Sequence, residues 1–331
     1  MTRVLTPKEY VGRPGRLPFD LPTRVDINEV GPRDGFQLEK TVIDTTEKIQ
    51  IIDALSATGL AHVQATSFVR PQAVPQLQDA EQVMAGITRV PGVSYAVLVP
   101  NLKGAQRALP HRADVWETML SVSDAHSLAN ANRPTVDALE SMRDVVALAH
   151  ESGAQVVGGM ATALGCPFEG RMAYDRISWV VGAYHEMGVR RVTAADTSGV
   201  ADPAHVYELS SRLVRDFPDI TFALHLHDTR GLGLANVIAG MAAGISDFDS
   251  SVGGLGGCPY APGATGNIAT EDLVHMLDLM GVQTGVDLAA VRDISRTRVA
   301  RVVDHPLESS LSRADPSWVL HPSPSGQQLQ S

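Results

Sequence analysis

The stretch "RVDINEVGPRDGFQ", residues 24–37, decides between two ways of folding this chain. Its first half is a short apolar run with β-branched residues, which reads as a strand. In a doubly wound sheet that strand would run into a glycine-rich phosphate turn of the form G-x-G-x-x-G. The turn here reads "EVGPRDGFQ" and lacks that spacing. A (β/α)8 barrel instead places polar side chains at the C-terminal ends of its strands, where its chemistry sits. Arg33 and Asp34 answer that description. Seven further strand-like runs follow: "AHVQAT" from Ala61, "SYAVLV" from Ser94, "DVWETMLSV" from Asp114, "AQVVGGMA" from Ala154, "RRVTAA" from Arg190, "TFALHLH" from Thr221 and "DFDSSV" from Asp247. Helical patterns such as "TTEKIQIIDALSATG", "TVDALESMRDVVALAHESG" and "HVYELSSRLVRDF" lie between them. The first is expected to take Thr45 or Thr46 as its N-cap, with Gly59 just past its end. The α/β alternation predicts a (β/α)8 TIM barrel over residues 24–304. Residues 1–23 are Pro-rich and are expected to drape over the barrel as an N-terminal extension. Residues 305–331, rich in Ser, Pro and Gln, are expected to form a mobile tail.

Bulk properties narrow the function. The chain has 331 residues, 44% hydrophobic and 19% charged, enough for a sizeable core. Its net charge is -10 and no basic stripe is visible, so nucleic acid is not an expected partner. No apolar run approaches the length of a membrane span, and the N-terminus has no signal-peptide character. Two cysteines, Cys166 and Cys258, form no disulfide framework. A cytoplasmic location is expected.

The candidate site follows from the strand ends. His225 and His227 lie two apart on the seventh strand and therefore face the same side. Two imidazoles on one face at the barrel mouth are a metal-ligand geometry. The alternative is two rim histidines satisfied by local hydrogen bonds. After the eighth strand comes "GGLGGCPYAPGATGN", with five glycines between Gly253 and Gly263, one cysteine and Asn267. Such a loop must bend tightly or move over a ligand.

"EVGPRDGFQ", "ATSFV", "PNLKG", "LGCPFEG", "ADTSGV", "HLHDTRGLGLAN" and "SSVGGLGGCPYAPGATGNIATEDLV" occur in one order along the chain. Together they resemble the 3-hydroxy-3-methylglutaryl-CoA lyase family of metal-dependent barrel enzymes, from about Arg24 to about Thr297. The glycine-rich cysteine loop is the most specific part, because it separates the lyases from the related synthases. The resemblance implies a divalent metal, Mg²⁺ or Mn²⁺, held by Asp34, His225, His227 and Asn267. It implies retro-aldol cleavage of a 3-hydroxyacyl-CoA to acetyl-CoA and a keto acid. Arg33 would stabilise the forming enolate, Cys258 would reprotonate it, and Asp34 with His225 would complete the catalytic set. Gln37, Gln64 and Asp196 match positions that border the substrate, although a turn-supporting role suits Asp196 as well. Cys166 is expected to be a buried small residue. The resemblance also implies a homodimer.

Some positions near the expected site depart from the family pattern. Gln64 stands where the family has Glu, and Leu38 where it has Asn. Val157 and Gly159 replace an Arg and a Tyr, and "SDAH", residues 123–126, replaces "SELF". A roomier, more apolar pocket is the expected result, and with it a changed acyl group. Two alternatives stand beside this expectation: a condensing enzyme of the same superfamily, and a non-catalytic metal-binding interaction protein.

Overall fold

The computed structural model describes residues 2–12, 15, 17–257 and 266–322. Eight parallel strands close into a barrel: β1 Asp26–Glu29, β2 His62–Ser67, β3 Ser94–Leu98, β4 Val115–Ser121, β5 Gln155–Ala161, β6 Arg191–Asp196, β7 Thr221–Leu226 and β8 Asp247–Ser250. Closure is made where β1 pairs β8, Asp26 opposite Asp247 and Glu29 opposite Ser250. All eight strand-like runs of the sequence are found. Each return passes through a helix on the outside, as a parallel pair requires.

The outer layer forms because the strands alternate. Val156, Gly158 and Met160 of β5 point outward, and a Cβ on Gly158 would lie 2.8–2.9 Å from the Tyr184 ring. Val157 points inward, beside Val115 and Ala96. Helix Thr135–Ser152 buries Leu139, Met142, Val145, Val146 and Ala149, the three-and-four spacing of one face. Helix Thr45–Ser56 is capped by Asp44, whose carboxylate accepts from the Thr46 N–H at 2.8 Å. The threonines predicted as caps are the first two helical residues instead. Aspartate caps as well as threonine, so local sequence alone did not choose between them. Gly59 lies three residues past the helix at φ +90°, with Gly285 O only 2.2 Å from where a Cβ would stand.

A two-stranded ribbon joins segments that are far apart in sequence. Arg3–Val4 pairs antiparallel with Val319–Leu320. The segment expected as a tail from His305 is packed as far as Trp318: Leu307, Leu311 and Trp318 are buried in the main core. Asp272 accepts from Ser309 Oγ and from the N–H groups of Ser310 and Leu311, which fixes this segment to helix Thr270–Met280. Apolar residues scattered among Ser and Pro carried this packing, and composition alone hid them. The rest of that expectation falls on residues 323–331, which lie outside the described residues. No helix among the described residues is long and apolar enough to cross a membrane. Leu311→Ala should lower unfolding free energy by about 2–4 kcal/mol in a denaturant titration. No measurable change would mean the segment is not part of the core.

Candidate active site at the barrel mouth

The turn after β1 is built around one carboxylate. Glu29, fully buried, accepts from the N–H of Gly31 at 2.8 Å, the N–H of Val252 at 2.9 Å and Thr270 Oγ1 at 2.6 Å. Burial pushes its carboxyl up to about 7 against the pull of those three bonds. Residues Gly31–Gly35 then wind into one π-helical turn, with the Val30 carbonyl accepting from Arg33 and Asp34. Isolated π-turns are often found at functional sites. Both glycines of "GPRDG" are required by contact. A Cβ on Gly31 would lie 2.6 Å from Glu29 Oε1, and one on Gly35 would lie 2.8 Å from Leu255 Cβ. The turn delivers Arg33 and Asp34 side by side to the mouth, joined by an Arg33 Nη1 to Asp34 Oδ1 bond of 2.5 Å.

The end of β7 faces them. His225 Nε2 lies 3.7 Å from Asp34 Oδ2, and His227 Nε2 lies 4.0 Å from it. The two imidazoles present Nε2 to Nε2 at 3.1 Å. Residues 266–268 pair with the end of β7, Asp228 N–H to the Gly266 carbonyl and Ile268 N–H to the Leu226 carbonyl, which sets Asn267 beside His227. Asn267 Nδ2 donates to Asp34 Oδ2 at 2.8 Å and to the Leu255 carbonyl at 3.1 Å.

This donor set fits a divalent cation. Asp34, His225 and His227 each offer a ligand atom, all within 4.8 Å of one another. Asp249 Oδ2 accepts from His225 Nδ1 at 3.1 Å, so the neutral ring keeps its Nε2 lone pair toward the cluster. Asn267 Oδ1 is buried without a hydrogen-bond partner among the described residues. Two imidazole nitrogens and a carboxylate oxygen converge with the Asn267 amide beside them, a mixed nitrogen and oxygen set of the kind that holds a divalent cation.

Charge at the cluster is uneven. Burial opposes the ionisation of Asp34, but Arg33, His225, His227 and the Asn267 bond outweigh it and hold its carboxyl well below the usual carboxylate range. Burial and the neighbouring His225 pull the His227 imidazole down to about 3. Burial also works against charge on His225, yet Asp249 and Asp34 raise it on balance.

The remaining predicted residues are placed differently. Gln64 is buried and accepts from Arg33 Nε, in the barrel interior. Gln37 is half-buried, three residues past Asp34. Asp196 ends β6 and spends both oxygens on the loop that follows, accepting from Val200 N–H at 2.8 Å and Ala201 N–H at 3.0 Å. Cys166 is buried as expected, and its thiol donates to Ser123 Oγ at 3.0 Å. Cys258 lies outside the described residues, but the loop leading to it reaches the cluster. At Gly256, φ +113°, a Cβ would stand 2.6 Å from Asn267 Nδ2 and 3.4 Å from Asp34 Oδ2. Sequence reasoning passed over Glu29, Asp249 and Thr270. Acids inside apolar strand runs, "INEV" and "DFDSSV", were the signal available for the first two.

The departures from the family pattern open little space. Leu38 is a rim residue, 36% exposed. Val157 lies lower in the barrel with Ala96 and Val115. Gly159 faces inward, but Met119 fills the place of its missing side chain: a Cβ there would lie 2.8 Å from Met119 Cε. Ser123 caps the helix Asp124–Ala131, and His126 in its first turn is buried against Ser121 Oγ at 2.7 Å. The predicted enlargement is therefore absent at these positions.

A profile of the HMGL-like family matches residues 24–297. The chain belongs to the HMGL-like family. It is 41% identical to the mitochondrial hydroxymethylglutaryl-CoA lyase of Gallus gallus over 88% of this chain and 98% of that protein. It is 42% identical to a 3-hydroxy-3-isohexenylglutaryl-CoA/hydroxymethylglutaryl-CoA lyase of Pseudomonas aeruginosa, covering 83% of this chain and 92% of that one. Among solved structures, an HMG-CoA lyase from Acinetobacter baumannii in complex with coenzyme A and 3-methylmalate superposes with a TM-score of 0.87 at 41% identity, over 91% of this chain and 98% of that one. As a member of the HMGL-like family, the chain carries its donor cluster on a barrel of the same architecture.

Because both imidazoles must be unprotonated to bind a metal, protons compete through the raised His225. Mn²⁺ affinity, measured by titration calorimetry, should be weaker at about pH 6 than at about pH 8, and His227→Ala should weaken it at both. Equal affinity across that range would argue against a histidine-held ion.

Proposed function

We propose that this chain cleaves 3-hydroxy-3-methylglutaryl-CoA to acetyl-CoA and a keto acid with the help of a divalent metal. It is a carbon–carbon lyase, as its similar curated relatives are. Those relatives favour the cleaving direction over condensation. The observation that carries the substrate chemistry is the convergence of Asp34, His225, His227 and Asn267 beside Arg33 at the barrel mouth.

In this reading Asp34, His225, His227 and Asn267 hold Mg²⁺ or Mn²⁺, which when bound acidifies and orients the substrate oxygens. Asp34, beside Arg33 and the two imidazoles, is the base that takes the hydroxyl proton. Loss of that proton breaks the bond between the β-carbon and the α-carbon, and the electron pair passes into the thioester enolate. Arg33, buried and always charged, stabilises the enolate oxygen. Cys258 returns a proton to the enolate carbon and so completes acetyl-CoA. The approach of Gly256 to Asn267 supports this role, since the loop meets the cluster two residues before the cysteine. Gln37 and Asp196 serve by shaping the mouth. A homodimer is the proposed assembly, by analogy with the family.

A second reading keeps the chemistry and lengthens the acyl group. A cleft of about 440 Å³ adjoins the mouth, walled by Leu164, Pro167 and Val200 together with Arg171 and Arg230. Its apolar wall would accept a 3-substituent longer than methyl, beside cations suited to an anionic substrate.

The experiment is acetyl-CoA release by the purified protein with Mg²⁺ or Mn²⁺ and a reductant, from 3-hydroxy-3-methylglutaryl-CoA and from an analogue with a longer 3-alkyl chain. Release from the first at the higher kcat/KM is expected. A preference for the second would establish the longer substrate, and no release from either would refute the lyase reading. Cys258→Ser should reduce kcat by about 10²–10⁴-fold while leaving metal affinity unchanged. Retained turnover would remove Cys258 from the mechanism.

A further inference from the structure

Arg33 is held from two sides. One terminal nitrogen donates to Asp34, and its Nε donates to Gln64 Oε1. Gln64 is itself anchored: its Nε2 donates to Glu117 Oε2. Glu117 belongs to β4, two strands from β2, and faces the barrel interior, where it borders a small cavity with Asn28, Arg191 and Asp249. Ala96, on the strand between, lines the same cavity and is too short to part the two side chains.

The order of groups in this chain matters. A guanidinium only donates, and the Glu117 oxygen that meets Gln64 accepts. An amide set between them has one orientation that satisfies both, carbonyl toward Arg33 and NH₂ toward Glu117. Glu117 therefore decides which way Gln64 faces, and Gln64 decides where Arg33 Nε points. The mechanism above assigns Glu117 no part, and no feature of the sequence singled it out.

We propose that Glu117 is a positioning residue for Arg33, acting through Gln64. It places, one amide further away, the carboxyl group that the family pattern carries at position 64 itself. In this chain the carboxyl group that bears on Arg33 Nε through the amide comes from β4. This explains how the HMGL-like site can carry Gln64 without leaving Arg33 undirected. It also changes what restoring Glu at position 64 would do. In the presence of Glu117 the new carboxylate would face another at hydrogen-bonding distance in the barrel interior, a repulsive pair.

The inference rests on the lyase reading for its catalytic consequence, so the test has one arm with substrate and one without. Glu117→Gln, Gln64→Glu and the double variant are compared with the wild type. With 3-hydroxy-3-methylglutaryl-CoA, each single variant should lose about tenfold or more in kcat with KM changed by no more than about twofold. The double variant, with the carboxylate back at position 64 and an amide at 117, should recover to within about threefold of wild type. A loss in the double equal to the product of the single losses would overturn the proposal, as would full activity in Glu117→Gln. In the arm without substrate, protein labelled with ¹⁵N-arginine reports the Arg33 Nε–H, assigned by its absence in Arg33→Lys. Its exchange with solvent should be slow in the wild type and the double variant, and about tenfold faster in Glu117→Gln. Equal exchange in wild type and Glu117→Gln would overturn the proposal even if the enzyme is active. An inactive wild type with the expected exchange pattern would instead overturn the lyase reading and leave the positioning of Arg33 supported.

Discussion

The site depends on a single buried carboxylate that belongs to none of the chemistry. Glu29 ends β1 and ties it to Val252 after β8 and to Thr270 at the start of the last barrel helix. These three points lie far apart in sequence and meet at the seam where the barrel closes. A buried acid is costly unless its oxygens are satisfied, and here three donors satisfy them. The same carboxylate leaves no room for a side chain at position 31. The π-turn that projects Arg33 and Asp34 begins at that glycine.

From the seam, polar contacts run down the inside of the barrel. His225 leans on Asp249, Asp249 accepts from Asn28 at 2.9 Å, and Asn28 accepts from Arg191. Arg191 also pairs with Asp247 at 2.5 Å. The barrel floor is thus charged as well as packed, unlike the branched aliphatic filling common in such barrels. Burial pushes the Asp247 carboxyl up to about 6 despite Arg191. The run joins His225 at one end to Arg191 and Asp247 at the other. A network of this kind holds its geometry only while every member is satisfied.

The barrel was legible because its signal is local and repeated. Eight β-branched runs separated by helical periodicity leave few other folds, and all eight runs became strands. Asp34, His225, His227 and Asn267 were legible as a set only through the order and wording of the motifs around them. Spacing alone put two histidines on one face and could say nothing of Asn267, 40 positions from His227. Leu38 and Gly159 were misjudged for one reason. Residue type alone says nothing of the neighbours: Met119 fills the place at Gly159, and Leu38 lies exposed at the surface. Trp318 and Leu311 were missed because three or four apolar residues in a Ser- and Pro-rich segment leave composition almost unchanged.

The sequence by itself determined the alternation of strands and helices, the inward face of β7, and the residue types available for chemistry at the mouth. Those properties follow from backbone periodicity and side-chain chemistry, which act within a few residues. Tertiary structure decided which of those residues meet. It set Asn267 against Asp34, Gln64 between Arg33 and Glu117, and Asp249 behind His225. Such pairings depend on the register and closure of eight strands, and a one-residue shift in any strand would turn its side chains to the opposite face.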